Sequence, residues 1–103
     1  MPVDPRIRDK EVDQLFEAIL LLRKVDECYR FFEDICTVKE IKSIAQRLAV
    51  ARMLNDGAKY SDTSKITGAS TATISRVKRC LNFGADGYKL ILERMKAKKL
   101  ELL

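Results

Sequence analysis

Val12, Leu15, Phe16, Ile19 and Leu22 follow one another at steps of three and four residues, the repeat of one side of an α-helix. The same repeat governs nearly the whole chain, and no stretch alternates apolar and polar residues for long enough to build a half-buried strand. Helices must therefore supply the core: the expected fold class is all-α, with about six helices. The first is expected from about Asp9 to Lys24, its stripe serving as a core or subunit face. Asp26 is placed to cap a second, shorter helix carrying Cys28, Tyr29, Phe31, Phe32 and Ile35. Thr37 and Glu40 have the spacing of a capping box, in which each side chain takes up the other's backbone N–H, so a third helix should begin near Val38. Its apolar positions Ile41, Ile44, Ala45, Leu48, Ala51 and Leu54 keep the period until Asn55-Asp56-Gly57 stops it.

After Gly57 the elements shorten. A brief helix over about Lys59 to Thr67 precedes Gly68, another begins at Ser70 or Thr71, and Asn82 to Gly87 ends it before a last helix from Tyr88 to about Glu101. A chain of 103 residues with no tryptophan, four phenylalanines and three tyrosines is one domain with a modest core. That size favours an oligomer whose interface enlarges the core.

Charge separates the two ends. Residues 1–40 hold 7 Lys/Arg against 10 Asp/Glu, while residues 41–103 hold 13 against 5, so an anionic partner belongs to the second half. Lys96, Lys98 and Lys99 can equally be a solvated helix end, where cations suit the helix dipole.

Histidine is absent, which removes the usual general base and a common zinc ligand. No glycine-rich phosphate loop occurs, and Glu33-Asp34, the nearest acidic pair, has no supporting constellation, so no catalytic residue, cofactor or metal site is expected. Cys28, Cys36 and Cys80 form no CxxC pair and sit within apolar patterns, which fits reduced, mostly buried thiols in a cytoplasmic protein. The opening MPVDPRIRDK is too charged for the core of a secretory signal, and the longest apolar cluster, AILLL at 18–22, is too short to span a bilayer.

The informative stretch is Tyr60 to Leu81, YSDTSKITGASTATISRVKRCL. A helix-turn-helix needs a short first helix, a turn residue with left-handed backbone, and a second helix whose start is small and polar enough to approach base edges. Gly68 supplies the turn, and Ile74 and Val77 the inward positions. Ser70, Thr71, Ala72, Thr73 and Ser75 supply the small start, with hydroxyls for phosphates or bases. Arg76, Lys78 and Arg79 add positive charge, while Tyr60, Ser61, Ser64 and Lys65 complete the candidate DNA-facing set from the first helix. The competing reading is a capped amphipathic helix with a polar face, since Ser and Thr are common at helix starts.

GASTATISR, with the helices on either side of it, resembles the Trp repressor family, and more closely its bacterial branch of YerC/YecD-type Trp repressor-like proteins. The resemblance spans about Thr37 to Met95 and is most specific from Gly68 to Arg76. It implies an intertwined homodimer in which residues 1–57 supply dimerisation helices, 59–82 the helix-turn-helix and 86–103 the C-terminal helix, all in one domain. Leu15, Ile19, Leu22, Phe31 and Phe32 would form the interlocking face. Two recognition helices would enter successive major grooves of a pseudo-palindromic operator in double-stranded DNA.

By the same resemblance, an effector pocket falls on Thr37, Arg47, Thr73, Arg76 and Cys80. Cys80 stands where the family has a serine that receives the ligand's amino group, and Val77 where a glycine leaves room for an indole ring. Tryptophan sensing is therefore not expected. Thr63 stands where a buried aliphatic residue is usual in the first motif helix, leaving Ile66 as its large apolar side chain. The resulting expectation is a dimeric, sequence-specific transcription regulator, a repressor. The alternative is a dimeric helical protein-interaction module that keeps the fold without selective DNA binding.

Overall fold

The computed structural model describes residues 3–98, and every regular element among them is helical. A single 3-10 turn, Pro5–Ile7, precedes α1 (Lys10–Ile19), α2 (Val25–Ile35), α3 (Val38–Asn55), α4 (Tyr60–Thr67), α5 (Thr71–Phe83) and α6 (Gly87–Ala97). The all-α expectation holds, and none of the described helices is long and apolar enough to cross a membrane. By their contacts the residues divide into an N-terminal unit ending at Ile41 and a C-terminal unit beginning at Lys42.

In the N-terminal unit, α1 starts where Asp9 accepts the N–H of Val12 at 2.8 Å. It stops at Ile19 rather than near Lys24. Leu21 and Leu22 instead donate to Ala18 and Ile19 in tight three-residue turns, each at 3.1 Å. The cause lies downstream. Glu27 reaches back to accept the N–H of Arg23 at 2.7 Å, which holds Arg23 outside both helices. Lys24, not Asp26, is the N-cap of α2, and it makes no side-chain cap bond. Asp26 lies inside the first turn, where a carboxylate suits the helix dipole.

The capping box of α3 is formed as expected. Thr37 N–H donates to Glu40 Oε1 at 2.8 Å, and Glu40 N–H donates to Thr37 Oγ1 at 3.1 Å. The bond from the Thr37 backbone holds the Glu40 carboxyl below its usual range.

None of residues 3–41 is buried within the chain. Phe31 and Phe32 meet edge to face, with centroids 5.5 Å apart. Leu20, Leu21, Val25 and Tyr29 are 82%, 77%, 73% and 72% exposed.

The C-terminal unit has a core. Val50, Ala51 and Leu54 of α3, Ala69 of the turn, Ile74, Val77 and Leu81 of α5, and Leu92 of α6 form it, with Leu48 and Tyr88 packed against it. Each fully buried aliphatic side chain there contributes roughly 1.5–3 kcal/mol relative to exposure. Ile44 and Ala45, expected on the inner stripe of α3, are exposed, and Val50 is buried instead. The stripe that reaches the core is the last third of the helix. α6 closes at Lys98, before the expected end near Glu101, and Lys99 and Glu101 lie outside the described residues.

The cysteines correct another expectation. Cys28 and Cys80 are exposed and Cys36 is half-buried, all three with free thiols. Cys28 belongs to a helix with no buried residue, and Cys80 falls at the rim of the Val77–Leu81 stripe.

Candidate nucleic-acid interface

The helix-turn-helix is formed by α4, the turn Gly68-Ala69-Ser70, and α5, with α4 and α5 in contact. Gly68 caps α4 at φ +75°, a left-handed conformation that an L-residue adopts only at a cost of roughly 1–2 kcal/mol. Its N–H donates to Ser64 O at 2.8 Å.

Hydroxyls fasten the rest. Ser64 Oγ donates to Ala69 O at 2.9 Å, Thr67 Oγ1 donates to Thr63 O at 2.7 Å, and Ala69 N–H donates to Thr67 Oγ1 at 3.2 Å. From α3, Gln46 Nε2 donates to Thr67 O at 3.1 Å, tying the end of α4 to the central helix. The small polar residues of this stretch therefore serve the turn as well as its surface.

Thr63 is fully buried, and its hydroxyl donates to Lys59 O at 2.8 Å. It is the inward anchor of α4. Ile66, the large apolar residue of this helix, is 70% exposed and contributes nothing to the core. A threonine can take the aliphatic position because its own helix satisfies its hydroxyl.

Ser70 is the N-cap of α5, its Oγ accepting from Thr73 N–H and donating to Thr73 Oγ1, both at 3.1 Å. The helix then splits into two faces. Ile74, Val77 and Leu81 are buried, whereas Thr71, Ala72, Ser75, Arg76 and Arg79 are exposed and Lys78 is half-buried. The first-turn N–H groups of Thr71 and Ala72 open the same face to an acceptor. On α4, Tyr60, Ser61 and Lys65 are exposed, while Ser64 is half-buried and already committed to the turn.

Among the effector-pocket positions, Arg47 and Thr73 are half-buried, Arg76 and Cys80 are exposed, and Val77 is only 1% exposed. Thr37 belongs to the N-terminal unit, where its hydroxyl completes the capping box of α3. Arg47 Nε donates to Ser43 O within its own helix at 3.5 Å. The Arg47 charge is felt at Tyr88, and Cys80 lines an apolar depression with it. Burial pushes the Tyr88 phenol above its usual range, the Arg47 charge pulls it back, and Cys80 pushes it further up.

Two contributors were not legible in the sequence: Gln46 stands out by no pattern there, and Tyr88 only as the first residue of the last helix. Neither has a local signature, because the groups they meet are far along the chain.

Comparison with known proteins agrees with this geometry. The chain is 57% identical over 101 residues to the uncharacterised protein YerC of Bacillus subtilis (strain 168), covering 98% of this chain and 96% of that one. A solved structure of a Trp repressor candidate from Staphylococcus aureus superposes with a TM-score of 0.86 at 53% identity, over 88% of this chain and 91% of its own. A TrpR-like protein from Eubacterium eligens ATCC 27750 superposes with a TM-score of 0.87 at 52% identity, over 90% and 96%. The sequence model of the Trp repressor protein family matches residues 10–96. With its helix-turn-helix and that match over most of its length, the chain belongs to the Trp repressor family.

Proposed function

We propose that the protein is a homodimeric, sequence-specific DNA-binding regulator of transcription, a cytoplasmic repressor rather than an enzyme, and that tryptophan does not control it. The observation that carries this reading is the division of α5 into a buried Ile74/Val77/Leu81 face and an exposed face of small residues and cations behind the Gly68 turn. Thr71, Thr73, Ser75 and Arg76 read the major groove, and Lys65, Lys78 and Arg79 hold phosphates. Ser64 acts through the turn it fastens.

Support for the dimer comes from the N-terminal unit. Helices that bury nothing within one chain while exposing Leu20, Leu21 and Val25 gain a core when a second copy supplies the missing face. Val77, 1% exposed, carries a branched side chain where the family has a glycine, which supports independence from tryptophan.

The test is selection of bound sequences from random double-stranded DNA by the full chain. Expected are a pseudo-palindromic consensus and a steep fall of affinity with salt. Thr71→Ala and Arg76→Ala should each weaken binding to the consensus by roughly 1–3 kcal/mol. The exposed Asp62 and Ile66 of α4 favour a second reading, docking of a partner protein. A pool that yields no enriched sequence at moderate salt would favour it over DNA recognition.

A further inference from the structure

Tyr88 opens α6 with an aromatic side chain that is half-buried and packed against the core shared by α3, α5 and α6. The Arg47 guanidinium of α3 and the Cys80 thiol of α5 both act on its phenol. Cys80 and Tyr88 also share the walls of a shallow apolar depression with Gly84, Ala85 and Gly87. About one turn before Cys80, Val77 is buried in the same core. A ring carried by the chain itself therefore packs against the core that α3 and α5 share, beside Cys80.

We propose that Tyr88 is a positioning residue for α5: its ring wedges between α3 and α5 and holds the recognition helix at its DNA-binding angle, so that operator binding needs no small effector. This inference rests on the reading of α5 as the DNA-facing helix. A tethered ring has no dissociation constant, so the binding-competent arrangement is populated at every metabolite concentration. Tyr88 touches no DNA in this arrangement; it acts through the helix that does.

The experiment uses the full-length dimer and the sequence recovered by selection. Tyr88→Ala should lose about tenfold or more of its affinity for that sequence. Binding to random DNA at low salt, which needs charge but not a fixed helix angle, should stay within about threefold of the parent. Tyr88→Phe should keep the specific affinity, since the ring and not the hydroxyl does the wedging. Millimolar p-cresol added to Tyr88→Ala should restore specific binding by refilling the vacated space. Tyr88→Leu keeps an apolar contact with the core but no ring. It should melt near the parent temperature and still lose specific affinity, which separates positioning from folding.

Equal loss on specific and random DNA, unchanged specific affinity in Tyr88→Leu, or failure of p-cresol to restore Tyr88→Ala overturns the inference. So does a tenfold response of the parent protein to tryptophan or to a mixture of amino acids. If the parent selects no sequence at all, the DNA-binding reading has failed first, and the two failures are distinguished.

Discussion

Thr63 and Gly68 hold the same turn by different means, and substitution separates them. Thr63 is fully buried, and its hydroxyl shares Lys59 O with its own N–H, which donates to that carbonyl at 3.0 Å. Removing the hydroxyl leaves no carbonyl without a donor, so Thr63→Val should change stability by less than about 1 kcal/mol. Gly68→Ala meets no crowding, its nearest new neighbour being Gln46 Nε2 at 3.9 Å. Its cost is conformational, because φ stays at +75°, and should be roughly 1–2 kcal/mol. Urea titration of the two variants checks both values. A Gly68→Ala protein as stable as its parent would mean that the turn does not hold its left-handed residue in solution. At this scale the sequence was legible where chemistry is local. The role of Gly68 follows from its place between two helical patterns, whereas the burial of Thr63 in place of Ile66 depends on which side of α4 meets the core.

The helices differ in how their ends are set, and that decides how far each could be read in advance. α3 begins at Val38 and ends at Asn55, as its capping box and Asn55-Asp56-Gly57 require, because both signals sit at the ends themselves. The end of α1 was not legible. Leu20, Leu21 and Leu22 continue an apolar pattern, while the stop comes from Glu27, which belongs to the next helix. Tyr88 shows the same limit at the candidate site, since the core it packs against is built from residues of other helices. The capping box also makes α3 sensitive to acid. The folded-state pKa of Glu40 lies below its usual 4.5, so folding favours the carboxylate, and its contribution is present above the unfolded value and lost as pH falls through the folded one. Amide exchange at Thr37 and Glu40 should therefore accelerate as pH falls below 4.5, after correction for intrinsic rates. Glu40→Gln, which can still accept the Thr37 N–H, should flatten that dependence. An unchanged pH profile in the variant would assign the effect to another carboxylate.

At the level of the whole molecule, acidic residues predominate before residue 41 and basic residues after it, and the proposed function gives the two halves separable tasks. The cations concentrated after residue 40 should make DNA affinity steeply salt-dependent. For the N-terminal unit, Leu21→Asp and Tyr29→Asp put charges at positions that a lone chain leaves 77% and 72% exposed. In a lone chain each would be nearly silent. In a dimer with a shared core each should shift sedimentation toward the 11.8 kDa monomer and lower helicity. Variants that sediment and fold like the parent would rule out the shared core. That none of residues 3–41 is buried within one chain would then have a consequence for biosynthesis. In a dimer with a shared core, residues 3–41 would have no interior to fold around until another copy arrived, so maturation would be second order in chain concentration. Messages that carry many ribosomes would make folded protein efficiently, and scarce chains would linger unpaired in reach of proteases. Abundance and half-life would rise together, a threshold set by assembly itself.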